Sequence, residues 1–313
     1  MANAERVNIE PIKKLLQMAA PAKAADLDEL FNRLSPVCEV DRTQERILFQ
    51  ADADNNLIRF GTKCAVRLEA HALAAVVIIA AIRTPGYKNP DLNQRQSLFG
   101  PADVLLTWAV GRDLQQWLKR NKGYQRDLDR ILHGAETDIP EELVSSLSTS
   151  ERMVGTGLFK VASAYIILHE IGHLNFGHRP CQGFLSIQQE KDADTFAADW
   201  LIEGTQEGRL PVLFGISVAL LWLTVFDVFL GPQQGSTHPE GYDRLFQVLD
   251  RSIDRNDENE HQMTWDFVSI MLFVHMRCAG FDFNEQDALQ MQGDPRDEVD
   301  YLINRIAQMD RKR

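Results

Sequence analysis

The pentapeptide His169-Glu170-Ile171-Gly172-His173 puts two imidazoles four residues apart with a carboxylate beside the first. On a helix, positions i and i+4 share a face, so both rings can ligate one ion. Glu170 then sits about 100° round the helix, where it can reach a water on the ion without being a ligand itself. A catalytic zinc normally takes three protein ligands and leaves the fourth position to water. The third is expected downstream. Ile187, Ala193, Phe196, Ala197, Trp200 and Leu201 recur at helical spacing over residues 187–204, and Glu190 and Asp194 share a face of that segment. Glu190 is the expected third ligand, and Asp194 can accept the free ring N–H of a liganding histidine and so fix its tautomer. His178, beyond the helix-ending Gly177, competes with Glu190 for the third position, and Cys181 is the nearest cysteine to a fourth. The bland alternative makes the histidines polar residues of a helix face and the carboxylates a solvated stripe.

Elements must exist to hold these groups in place. Residues 157–176 form an apolar run read as helix, and Ser148 or Ser150 can cap a helix leading toward it, with Glu151 downstream. Short amphipathic helices are expected over 9–19 and 24–34. Residues 46–50 and 57–61 read as strands about the polar turn at 52–56, a β-hairpin on the edge of a small sheet. Residues 64–83 read as a buried helix, with the lone His71 a satisfied core or surface group. Residues 85–102, rich in proline and glycine, read as a loop that can face a substrate. Helical patterns follow over 102–118 and 121–139, and again over 263–279 and 284–310. Pro239 suits the first turn of a helix carrying Leu245, Val248, Leu249 and Ile253.

The fold class expected is mainly α within α+β, with a small N-terminal hairpin or sheet. The division expected is an N-terminal region, 1–150, and a zincin-like peptidase region, 151–313, which can also form one integrated domain. A hydrophobic content of 44% with 25% charged residues is that of a globular chain, and a net charge of −12 argues against nucleic acid as a partner. Four scattered cysteines without a C-x-x-C pair give no disulfide framework and suit a reducing compartment. The N-terminus lacks the apolar core of a signal peptide, so the expected location is cytoplasmic. Residues 212–230 are long and apolar enough to span a bilayer, and read either as a buried core helix or as an inner-membrane anchor.

Taken in order, His169–His173, Glu190-Lys191-Asp192-Ala193-Asp194 and Ser236-Thr237-His238-Pro239 with Arg244 six residues after His238 resemble the gluzincin type of metallopeptidase. HtpX-like membrane proteases share the triple pattern but have several membrane spans. The chain more closely resembles the Lit-like phage-exclusion peptidases of bacteria, also in its R-x-E-x-H-A run at Arg67–Ala72. That resemblance implies a zinc endopeptidase with one Zn2+ per chain, acting in antiviral defence. It also implies that elongation factor Tu is cut when phage infection supplies an activator. In such an enzyme Glu170 is the general base and Asp194 and Arg244 support the ligands from behind. The oxyanion donor expected is His238, with Arg244 or Tyr242 as alternatives. Two other functions stand beside this one: a membrane-associated HtpX-like quality-control protease anchored by 212–230, and a non-catalytic zinc-binding regulatory module.

Overall fold

The computed structural model describes residues 4–41, 49–84, 99–110, 139–179, 184–206, 208–230, 241–278, 280–284, 287, 290–291 and 293–310. The chain starts with a strand, β1 (Ala4–Val7), then α1 (Glu10–Ala19), a 3-10 turn (Pro21–Lys23) and α2 (Ala24–Leu34). Both helices bury the apolar stripe that their spacing announces, Ile12, Leu15 and Leu16 on α1 and Leu27, Leu30 and Phe31 on α2. Ser35, with φ of 44°, ends α2 in a left-handed cap before Pro36.

Strands β2 (Val37–Asp41), β3 (Phe49–Asp52) and β4 (Leu57–Gly61) complete a four-stranded sheet of order β1-β2-β4-β3. β3 and β4 form the expected hairpin, antiparallel with Phe49 opposite Phe60 and Asp52 opposite Leu57. Asn56 takes a φ of 47° in its turn, a conformation that asparagine tolerates. Sequence reading missed β1 and β2, which α1 and α2 separate, so that no turn marks them as a pair in the way the Asp/Asn turn marks β3 and β4. β2 pairs in parallel with β4, a neighbour that local pattern cannot reveal.

Helices make up the rest: α3 (Thr62–Ile82), α4 (Gly100–Val110), the single turn α5 (Glu141–Val144), α6 (Thr149–Phe176), α7 (Phe184–Gly204), α8 (Arg209–Leu230), α9 (Gly241–Ser252), α10 (Glu258–Cys278) and α11 (Pro295–Asp310). The architecture is mainly α with one small sheet. The final helix starts eleven residues later than position 284, because Gly293 and Pro295 favour a break there and Pro295 suits a first turn. The expected helix over 121–139, Ile139 apart, and most of the loop over 85–102 lie outside the described residues, and the last residues of that loop, 100–102, are instead the first turn of α4.

α6 is the axis of the molecule. A capping box starts it: Ser148 Oγ accepts the Glu151 N–H at 3.3 Å, and the Glu151 carboxylate accepts the Ser148 N–H at 2.7 Å. Gly177, with φ of 64°, ends it. Between them almost every side chain from Leu158 to Leu174 is buried, since α3, α7 and α8 cover its flanks and β3 lies against it. This is the one helix among the described residues long and apolar enough to cross a membrane, and 72% of that window is covered by protein. α8 is a core helix along its described side chains: Leu213, Ile216, Val218, Leu220 and Leu221 are all fully buried. Gly215 brings it close to α6, for a Cβ there would stand 2.4 Å from Val161. A single apolar core joins residues from both halves of the sequence.

Inside that core, His71 on α3 and His275 on α10 face each other with ring centroids 5.1 Å apart. His71 Nδ1 bonds the Arg67 carbonyl at 2.7 Å, while its Nε2 and both nitrogens of His275 have no partner among the described residues. Burial, opposed in part by the Arg67 carbonyl, lowers His71 from 6.5 to about 4. Burial and the neighbouring His71 push His275 well below its ordinary value. The unfolded chain therefore binds protons that the folded one refuses. As far as this pair is concerned, stability is complete above pH 6.5 and is lost as pH falls toward 4. His71 alone accounts for about 3 kcal/mol of that loss. Urea midpoints measured from pH 7.5 to 4.5 will fall steeply in the wild type and more shallowly in His275→Phe.

Candidate active site

The site forms where α6 and α7 approach closely enough to share it. A Cβ on Gly172 would stand 3.1 Å from the Ala193 Cα and 3.2 Å from the Phe196 ring, so the second variable position of H-E-x-x-H needs its missing side chain. That approach puts Glu190, one turn before Ala193, across from both histidines. His169 Nε2 and His173 Nε2 lie 3.1 Å apart. The Glu190 carboxylate reaches them at 3.3 and 3.5 Å. The three residues offer ligand atoms within 4.8 Å of one another, a cluster able to hold a metal ion. Among the described residues the cluster has three such donors, and Cys181 lies outside them.

Behind the cluster the remaining ring nitrogens are tied back. His169 Nδ1 meets Asp194 Oδ1 at 2.8 Å, and His173 Nδ1 meets His178 Nδ1 at 3.0 Å. Each ring is thereby fixed with its Nε2 turned to the shared point. Arg244, delivered by α9, donates Nε and Nη2 to the two Asp194 oxygens at 2.8 and 2.7 Å, and its Nη1 stands 3.7 Å from Glu190. Tyr165 Oη donates to Asp194 Oδ1 at 2.8 Å. The structure therefore brings His169, His173, Glu190, Asp194 and Arg244 together. It puts His178 behind His173 and not among the converging donors, because the Gly177 turn folds the chain back over the end of α6. Arg244 is committed to Asp194. His238 lies outside the described residues.

Glu170 points from the same helix toward the sheet. It is buried, and the Ala51 N–H of β3 donates to its carboxylate. Burial raises its pKa, with the nearby Glu190 adding to the rise and the charge on His169 opposing it, which suits a carboxylate that must take up a proton. Burial alone would lower His169, but the charge of Asp194 overrides it and lifts the ring to about 10. Burial and the charge on His169 bring His173 down to about 3. Asp194 is held well below the usual carboxylate range against its burial, by Arg244 first and His169 second.

Two contributors were absent from the sequence reading, and a third, His178, was read there in another role. Tyr165 stands four residues before His169 on one helix face, a spacing that could have disclosed it. His178 was visible as a histidine but not as a partner of His173. Ala51 contributes only a backbone N–H, which no residue type marks.

The Peptidase U49 family profile matches residues 109–267, a span that includes every side chain of the cluster. The chain belongs to the Peptidase U49 family. It is a peptidase, a hydrolase of peptide bonds. The cell death peptidase of Escherichia coli (strain K12) is 29% identical to it over 209 residues, covering 55% of this chain and 70% of the relative. No solved structure matches the chain.

Two substitutions test how this U49 peptidase builds its site. Arg244→Leu leaves the Asp194 carboxylate buried without its main counter-charge, at a cost of about 3–5 kcal/mol in urea unfolding. Gly172→Ala forces α7 outward and costs about 1–3 kcal/mol by the same measurement.

Proposed function

We propose that this U49 peptidase is a zinc endopeptidase, holding one Zn2+ per chain on His169, His173 and Glu190. The convergence of two Nε2 atoms and a carboxylate, with both Nδ1 atoms engaged behind, is the observation that carries the reading. With the proton that His169 now carries given up to the metal, two imidazoles and one carboxylate are a donor set that suits zinc and leaves a position for water. A structural zinc would take four protein donors, and the three found among the described residues favour catalysis over a regulatory module. When bound, zinc supplies Lewis-acid chemistry to the scissile carbonyl and the attacking water.

The chain's own groups do the rest. Glu170, steadied by Ala51, accepts the proton of the attacking water and passes it to the leaving amine. Asp194 holds His169 in the tautomer that presents Nε2, and Arg244 balances the buried charges of Asp194 and Glu190. His238 is proposed as the donor to the developing oxyanion.

The Lit-like resemblance and the E. coli cell death peptidase support a role in which the enzyme acts on a protein of its own cell during phage infection. Elongation factor Tu is the proposed substrate and a phage-derived molecule the proposed activator. A cytoplasmic location is part of the proposal, supported by the burial of α8 through Thr224. Membrane-fraction recovery of the expressed protein would turn this toward the anchored alternative.

Metal analysis of protein purified without added zinc will give about one zinc per wild-type chain and far less in Glu190→Ala. Zinc-free wild type, or a variant that keeps its metal, would sink the assignment. Glu170→Gln will keep zinc and lose about 10²–10⁴-fold in the rate of cleavage of elongation factor Tu, assayed in extracts of phage-infected cells.

A further inference from the structure

α7 presents two opposite faces. One carries Glu190 and Asp194 into the site, and the other carries Asp192, Phe196, Asp199, Trp200 and Glu203 along the wall of an open groove of about 390 Å³. Phe176, 50% exposed at the end of α6, closes that wall on the side of the site. Rings connect the groove to the metal-binding cluster without a gap. His173 meets His178 at 5.1 Å between centroids and His178 meets Phe176 at 5.4 Å. Phe176 meets Phe196 at 5.8 Å and Phe196 meets Trp200 at 5.4 Å.

The groove combines apolar walls with a negative rim. Its lining holds three carboxylates, Asp192, Asp199 and Glu203; Glu203 pairs with Lys23 at 2.8 Å and Asp199 with Arg251 at 2.6 Å, and both pairs are solvent-exposed, weak enough for an incoming cation to exchange into them. Its far end already accommodates a cation: Lys23 Nζ lies 5.8 Å from the Trp200 ring centre and pairs with Glu203 at 2.8 Å. An ammonium on an indole face with a carboxylate behind it is a recurring way to bind a basic side chain. From Asp192 to Glu203 the wall runs roughly 16 Å, the length of about five residues of extended chain.

We propose that this groove is a substrate-recognition exosite, which takes an extended segment of the protein substrate carrying basic side chains beside an apolar or aromatic one. The inference rests on the peptidase reading of the adjoining cluster and deepens it. The aromatic wall takes the apolar side chain, Asp192 takes one basic side chain and Asp199 another by exchange with Arg251, and the continuity of rings from His173 fixes the segment to one side of the scissile bond. Much of the discrimination among substrates then lies outside the catalytic cluster, in the charge pattern flanking the bond that is cut.

The test uses the full chain as Glu170→Gln, so that nothing is cut, and two fluorescein-labelled twelve-residue peptides in a Gly/Ser frame. One carries Arg-Leu-Arg-Phe and the other Glu-Leu-Glu-Phe. Fluorescence anisotropy will show the basic peptide binding at least tenfold more tightly, with affinity falling as salt rises. Reversing the rim with Asp192→Lys and Asp199→Lys will weaken it at least tenfold, and Phe176→Ala about fivefold. Equal affinity for the two peptides, or indifference to both sets of substitutions, overturns the exosite. If the charge-reversed protein does not fold, Phe176→Ala decides alone, because its ring is half exposed. A dimer seen in sedimentation and abolished by Phe176→Ala would assign the groove to a second copy of the chain and overturn the proposal. Chelator-treated protein will give the same contrast between the peptides, so a failure of the zinc assignment and a failure of the groove are read separately.

Discussion

Asp194 is the point on which the site depends. Its two oxygens accept from His169, Tyr165 and twice from Arg244, which ties α6, α7 and α9 to one buried carboxylate. An isolated carboxylate in that position would be costly, and so would an isolated guanidinium. Together they satisfy one another and leave His169 with its orientation settled. Such a cluster is weak evidence of net stability but strong evidence of a specified arrangement, because each member is tolerable only while the others are present.

The chemistry is thus placed on rigid elements. α6 is enclosed by helices and sheet, and α7 is drawn against it at a glycine, so the converging donors are positioned by packing as well as by hydrogen bonds. The buried setting also separates two of the three carboxylates of the site. Asp194, facing Arg244, is kept ionised, while Glu170, facing the sheet, has its affinity for a proton raised. Two residues of the same chemistry acquire different duties from their surroundings.

What could be read from the sequence was what depends on local period. The helices of residues 10–34, the hairpin about Asn56, the Ser148 cap, the Gly177 stop and the shared face of Glu190 and Asp194 are all set by neighbours within a few positions. The pairing of β2 with β4 and the gift of an N–H from Ala51 to Glu170 are tertiary facts that no nearby residue encodes. His178 shows the limit most clearly. Its type suggested a ligand, and only the geometry of the turn after α6 shows it standing behind one. The apolar stretch at 212–230 was ambiguous for a related reason, since hydrophobicity alone does not say whether lipid or protein covers it, and protein covers its described part.

The groups that surround the cluster come from Ala51, from Tyr165 through His178, from Glu190 and Asp194, and finally from Arg244. A ribosome makes them in that order. Until Arg244 has emerged, the growing chain carries an Asp194 without its counter-charge and cannot close the pocket around His169. A peptidase built this way cannot complete its site as an unfinished chain, and a message broken before that codon yields fragments without the counter-charge that Asp194 needs.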